Sequence, residues 1–158
     1  MSKTGASFKR GESCQTYATP ECFMAPLRKR FGTPTLDLAA SAENTKAPLF
    51  YTQAVNSLTK VWHEHAGLCF LNPPFDRIEP WAAKCADEAK AGAHILFLVP
   101  ASVGSEWFHN HVHRKAFVLA LRGRIPFDPA NPTWGYPKDC ILAAYGFGVG
   151  FDTWKWRI

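Results

Sequence analysis

No apolar run in this 158-residue chain approaches the ~20 residues that a membrane-spanning helix needs, which excludes a spanning segment. The opening stretch, Met1 to Arg10, is polar and basic and lacks the apolar centre of a signal peptide. The five cysteines (Cys14, Cys22, Cys69, Cys85 and Cys140) are odd in number and scattered, with no C-x-x-C pair among them. That spacing argues against a disulfide framework and for a reducing compartment. The Pro-Cys-x-x-Cys of zinc-dependent base deaminases is missing too. No internal repeat and no linker divides the chain. These absences lead to the expectation of one soluble, intracellular domain.

Hydrophobic residues make up 47% of the chain and charged residues 20%, enough of each for a single substantial core with a wet surface. The 18 Lys and Arg against 13 Asp and Glu give a net charge of +5, a mild bias toward polyanions such as nucleic acid. Residues 1–15 mix Lys, Arg, Ser and Gly with little periodicity and read as a loose basic arm, leaving 16–158 as the folded domain. A short helix starts after Pro20, with Pro26 disturbing it before the solvated cluster Arg28-Lys29-Arg30. Thr35 to Ala40 and Leu68 to Leu71 are strand candidates. Asp76 followed by Glu79 resembles a capping box. Behind it Ile78, Trp81, Ala82, Cys85 and Ala89 share one helical face, with Lys84, Asp87, Glu88 and Lys90 largely elsewhere.

Gly92 suits the stop of that helix. Ile95 to Val99 is a continuous apolar run, as expected of a strand covered on both faces. A second helix is expected from Ser105 to about His113, strands at Phe117 to Leu121 and Ile141 to Tyr145, and a hairpin within Gly146 to Trp156. Alternating strands and helices predict a layered α/β domain with a mostly parallel central sheet. Ligands bind beyond the carboxyl ends of strands in such sheets, near Asp37 and Asn72 here.

Asn72-Pro73-Pro74-Phe75 follows the second strand candidate. Two prolines remove two backbone N–H donors and stiffen the chain, so the loop offers carbonyl acceptors beside an amide and a ring. The same four residues also make an ordinary turn.

The sequence resembles the phage-type DNA N6-adenine methyltransferase (Dam) family. The resemblance runs through Tyr17-Ala18-Thr19-Pro20, Leu36 to Asn44, Asn56-Ser57-Leu58 with Trp62, Asn72 to Phe75, Trp81 and Lys84. Leu98 to Ala101, Trp107-Phe108-His109 and Gly123 to Phe127 complete it. It implies a single-domain, Rossmann-like, S-adenosyl-L-methionine-dependent fold that methylates a flipped-out adenine in DNA. Asn72, Pro73, Pro74 and Phe75 would then form the catalytic loop. The Asn72 oxygen and the Pro73 carbonyl would accept the amine's hydrogens, and Phe75, where Tyr is commoner, would stack on the base.

The cofactor would lie against Tyr17, Thr19, Pro20, Asp37, Ala39, Ser41, Asn56 and Leu58. Asp37 would face the cationic amino group of its methionine end, unless that acid is only a cap or a buried, paired carboxylate. The chain departs from the commoner pattern in two places: Ala39-Ala40-Ser41 replaces a Gly-rich turn, and Asn56 stands where an acid is frequent. On the DNA side the expected contacts are Arg77, Trp107, His109 and Arg124, the last equally suited to anchoring the fold. His63 and His65, and His109, His111 and His113, invite a metal site, but no acid or Cys accompanies either group at ligand spacing, and none is expected. A phage or prophage origin would put the activity in the cytoplasm of a bacterial host, as protection against restriction. The short chain leaves little room for a separate target-recognition domain. Runner-up functions are transfer to another planar amine (cytosine N4, RNA adenine or glutamine) and a catalytically silent protein that holds DNA or a partner.

Overall fold

Ile95 to Val99, a continuous apolar run, becomes the centre of the sheet. The computed structural model describes residues 18–130 and 135–157. The arm expected over 1–15, with Cys14 and Tyr17, lies outside the described residues. In chain order the elements are α1 (Glu21–Phe31), β1 (Leu36–Asp37), β2 (Leu49–Phe50), β3 (Leu68–Leu71), α2 (Ile78–Lys90), β4 (His94–Pro100), α3 (Glu106–His111), β5 (Phe117–Leu121), β6 (Cys140–Tyr145) and β7 (Gly150–Trp154). Two single 3-10 turns, Gln53–Val55 and Ser57–Thr59, lie between β2 and β3.

The described strands form one sheet in the order β2-β1-β3-β4-β6-β5-β7. The pairs β1–β2, β1–β3, β3–β4 and β5–β7 are parallel, and only β6 runs against the rest. This is the mostly parallel α/β sheet that the alternation of elements predicts.

The two-residue period of β4 divides the core. Ile95, Phe97 and Val99 face α2, meeting Ala82, Cys85, Ala86 and Trp62. Leu96 and Leu98 face the other way, against Phe23, Met24 and Leu27 of α1 and Trp156. Both faces are covered, so the strand can be apolar throughout. Cys69 and Cys85 are buried as expected.

Several local expectations are corrected. Helix α1 continues through Pro26; the carbonyl that loses its donor belongs to Cys22, which is exposed and open to solvent. The strand expected over Thr35 to Ala40 pairs only at Leu36–Asp37, because the chain then turns back on the Asp37 side chain. Asp76 does not cap α2. Arg77 holds the cap position and no side chain bonds the free N–H groups there. Helix α3 ends at His111 rather than His113, and the Tyr145 hydroxyl takes the His111 carbonyl at 2.6 Å. Gly146 to Trp156 is no hairpin. After the turn, β7 passes β6 and pairs in parallel with β5.

Glu88 also departs from its expected solvated face and is 5% exposed. One of its carboxylate oxygens accepts from the backbone N–H of Trp62 (3.0 Å) and of His63 (2.8 Å) and bonds His63 Nδ1 (2.6 Å), while Lys84 donates to the other. The group therefore pins the segment before β3 to α2 and seats Trp62 in the core. His65 bonds the Thr35 hydroxyl at 2.7 Å, so both histidines of the first group have structural partners.

Burial alone would raise the Glu88 carboxyl, but the Lys84, His63 and backbone donors outweigh it and bring it from 4.5 down to about 2. A depressed carboxyl contributes stability above its unfolded value and loses it as pH falls through its folded value. Glu88→Ala is therefore expected to cost about 3 kcal/mol in urea unfolding at pH 7. The gap to wild type narrows as pH falls from 4.5 toward 2, whereas a gap constant with pH would contradict the ion-pair account.

Candidate active site

Strand β1 leads to β2 on one side of the sheet order and its other neighbour β3 leads to β4 on the opposite side, so the crevice between β1 and β3 is a topological switch point. Asp37 ends β1, and Asn72 is the first residue beyond β3. Residues Ala18-Thr19-Pro20, leading into α1, cross the same edge. The Pro20 carbonyl accepts the first free N–H groups of the helix, from Phe23 at 3.0 Å and Met24 at 3.1 Å.

Asn72 is fixed by its donor end. Its Nδ2 donates to Thr19 Oγ1 at 3.0 Å, and Thr19 is only 3% exposed. The Oδ1 atom is buried and has no hydrogen-bond partner among the described residues. A buried acceptor without a donor is rare and costs free energy, so it marks a place where a donor is expected to arrive. Next to it, no backbone N–H of the described residues bonds the Pro73 carbonyl. Pro73 is buried and Pro74 exposed.

Asp37 is 3% exposed and folds its own loop. Its Oδ1 accepts from the Ala39 N–H at 3.3 Å and its Oδ2 from the Lys46 N–H at 2.9 Å. Desolvation still dominates those bonds and lifts the carboxyl to about 6. Within the same loop the Ser41 N–H donates to Asn44 Oδ1 at 2.7 Å. Thr19, Asp37, Ala39, Lys46 and Asn72 line one small cleft, floored by Phe70. The small residues Ala18 and Ala39 keep its walls low where a Gly-rich turn is commoner.

Phe75 is half-buried, and its ring meets Phe127 at 6.2 Å and Tyr136 at 5.4 Å between centroids, both edge-on. The three rings form a cluster beside the Asn72-to-Phe75 loop and fix the plane of Phe75.

The other expected residues are not gathered here. Tyr17 lies outside the described residues. Asn56 is exposed in a left-handed turn (φ 52°), and half-buried Leu58 follows on the second 3-10 turn; neither lines the cleft. Arg77 is exposed at the start of α2, immediately after the loop. Arg124 is exposed beyond the carboxyl end of β5, at the same sheet edge, 3.7 Å from Asp139. Trp107 packs on Phe108 beside the core, and the His109 ring lies against Phe108 and His113. Phe108 and His113 line a hollow with Val118 and Gly150 at the beginnings of β5 and β7, the opposite edge from Asn72.

The profile of the DNA N-6-adenine-methyltransferase (Dam) family matches residues 7–138, most of the chain. The chain belongs to this family. It is also 34% identical over 112 residues to a protein of Escherichia phage T1 named DNA N-6-adenine-methyltransferase, an alignment that covers 71% of this chain and 47% of that relative. The chain thus spans about half the length of the relative it matches.

Lys46 and Tyr136 of this Dam-family chain carry no motif or periodicity in the sequence, and Asn44, at the end of a family segment, takes no role of its own from the resemblance. Lys46 reaches the cleft only because the Asp37 carboxylate folds the chain back across a separation of nine positions.

A carboxyl raised from 3.8 to about 6 is stabilising below its unfolded value, and that contribution is lost as pH rises through the folded value. In the unliganded protein Asp37→Asn removes this pH dependence. Between pH 4.5 and 7.5 the unfolding free energy of the variant is expected to move in its favour by about 2 kcal/mol relative to wild type. Parallel pH profiles from chemical denaturation would contradict the buried, cation-free carboxylate.

Proposed function

We propose that this chain transfers a methyl group from S-adenosyl-L-methionine to the exocyclic N6 amine of adenine in DNA. The observation that carries the proposal is the orphaned Asn72 Oδ1, held in place because the other end of the amide is bonded to Thr19. An adenine amine presents two N–H donors and a lone pair delocalised into the ring. Accepting those hydrogens at Asn72 Oδ1 and at the Pro73 carbonyl returns electron density to the nitrogen and stabilises the positive charge that develops on it. When the amine acquires its methyl group it gives up one proton to solvent, so no strongly basic side chain is required. Phe75, braced by Phe127 and Tyr136, is the face on which a base turned out of the duplex stacks.

The cofactor fits the cleft by chemistry. S-adenosyl-L-methionine supplies an electrophilic methyl group on a sulfonium and carries an ammonium at its amino-acid end. Asp37 is a nearly inaccessible carboxylate with backbone N–H partners and no cation paired to it among the described residues, which suits that ammonium. Thr19, Pro20, Ala39 and Ser41 belong to the two segments that border the same cleft.

DNA is the substrate that family membership favours over RNA or a protein amide. Arg77 and Arg124, exposed at the edge that carries the catalytic loop, are the phosphate contacts of this proposal. The name borne by the phage T1 relative agrees with a phage or prophage setting, in the cytoplasm of a bacterial host. Target preference in such a scheme comes from the loops on this edge and is short or relaxed.

Asn72→Ala removes an acceptor used on the base and not on the cofactor. Transfer of labelled methyl to adenine-containing duplex DNA is expected to fall by at least 10²-fold, on the order of the loss of one transition-state acceptor or donor. Binding of S-adenosylhomocysteine, followed by calorimetry, stays within a few-fold of wild type. Undiminished transfer by the variant would refute the role of the amide.

A further inference from the structure

The cleft between β1 and β3 holds one buried acid and one half-buried base that do not neutralise each other. The Lys46 backbone N–H bonds Asp37 Oδ2 at 2.9 Å, so the two residues are locked together through the main chain. The Lys46 ammonium nevertheless forms no ion pair and no hydrogen bond with the described residues. Of the cleft's other polar groups, Asn72 Oδ1 is the one left for the base, and the rest have partners. Thr19 Oγ1 receives Asn72 Nδ2, and Asn44 Oδ1 receives the Ser41 N–H. Arg28, the nearby cation on α1, is paired with Glu21. A carboxylate and an ammonium thus stand side by side in one opening, each feeling the other's charge without closing into an ion pair.

An α-amino acid terminus has the complementary pattern, an ammonium and a carboxylate on one carbon. We propose that Lys46 and Asp37 form a zwitterion clamp, in which Asp37 takes the ammonium of the cofactor's methionine end and Lys46 reads its carboxylate. This inference rests on the methyl-donor reading of the cleft and adds to it a specific anion-binding residue. The electrostatics agree in sign. Burial lowers the Lys46 ammonium and the Arg28 charge lowers it further, against the pull of Asp37, so a carboxylate beside Lys46 would favour its charged form. The clamp also explains why a loop without the usual glycines still forms a binding edge. The Asp37 carboxylate both folds the loop and, by doing so, delivers the lysine.

The test compares three adenosyl compounds by calorimetry on the full chain: S-adenosylhomocysteine, decarboxylated S-adenosylmethionine, which lacks only the carboxylate, and 5′-methylthioadenosine, which lacks the whole amino-acid end. Lys46→Met is expected to weaken S-adenosylhomocysteine about tenfold or more, the loss of a charge-assisted contact, while leaving the other two within about twofold. Lys46→Arg should restore most of the loss for S-adenosylhomocysteine. Equal weakening of all three compounds, or no weakening of any, would overturn the clamp while the methyl-donor reading stands. If wild type binds none of the three at millimolar concentration, the methyl-donor reading itself fails and the clamp fails with it.

Discussion

The site depends on one hydrogen bond between two polar side chains from distant parts of the chain. Asn72 Nδ2 donates to Thr19 Oγ1, joining the loop beyond β3 to the segment that leads into α1. An amide has a donor end and an acceptor end, so anchoring the donor decides where the acceptor points. Without Thr19 the amide could turn over and present N–H groups to an incoming amine, a repulsive arrangement. With it, Oδ1 is held ready and unsatisfied. The free energy of that unsatisfied group is met by the packing of α1 through Phe23, Met24 and Leu27, which holds Thr19 in place.

The charged groups follow a similar logic. Asp37 and Glu88 are both nearly inaccessible carboxylates, yet they end in opposite states. Glu88 gathers Lys84, His63 and two backbone N–H groups and is held low, as a structural ion should be. Asp37 has only two backbone partners and is held high. The difference separates a closed ion-pair network from a carboxylate held by backbone donors alone, as the proposed cofactor role requires. Both acids sit where a chain segment has to be folded back onto the sheet, so each first serves the fold. Only Asp37 also opens onto a cleft.

Much of this was legible in the sequence. The run Ile95 to Val99 announces a strand covered on both faces, and the amphipathic stripe from Ile78 to Ala89 announces α2, because burial enforces a period in each. The loop Asn72 to Phe75 and the acid Asp37 stand out because they end strand candidates, although a turn and a buried, paired carboxylate are competing readings; the structure brings Asn72 and Asp37 to one cleft. Three features were not legible. Glu88 looks like a surface residue, since its partners lie 25 and 26 positions away and no local pattern encodes them. Lys46 is one unpatterned lysine until a carboxylate folds its loop. Strand β7 reads as a hairpin because glycines precede it, whereas its pairing with β5 is a matter of sheet order. Trp107 and His109, which family resemblance drew toward the substrate, have Phe108 and His113 as ring neighbours.

The most direct test is the identity of the modified base. Duplex DNA incubated with the protein and S-adenosyl-L-methionine, digested to nucleosides and analysed by mass spectrometry, should contain N6-methyladenosine in its deoxy form and no methylated cytosine. Methyl groups on cytosine N4, or none on any base while the cofactor binds, would contradict the assignment of Asn72 Oδ1 as the acceptor for an adenine amine.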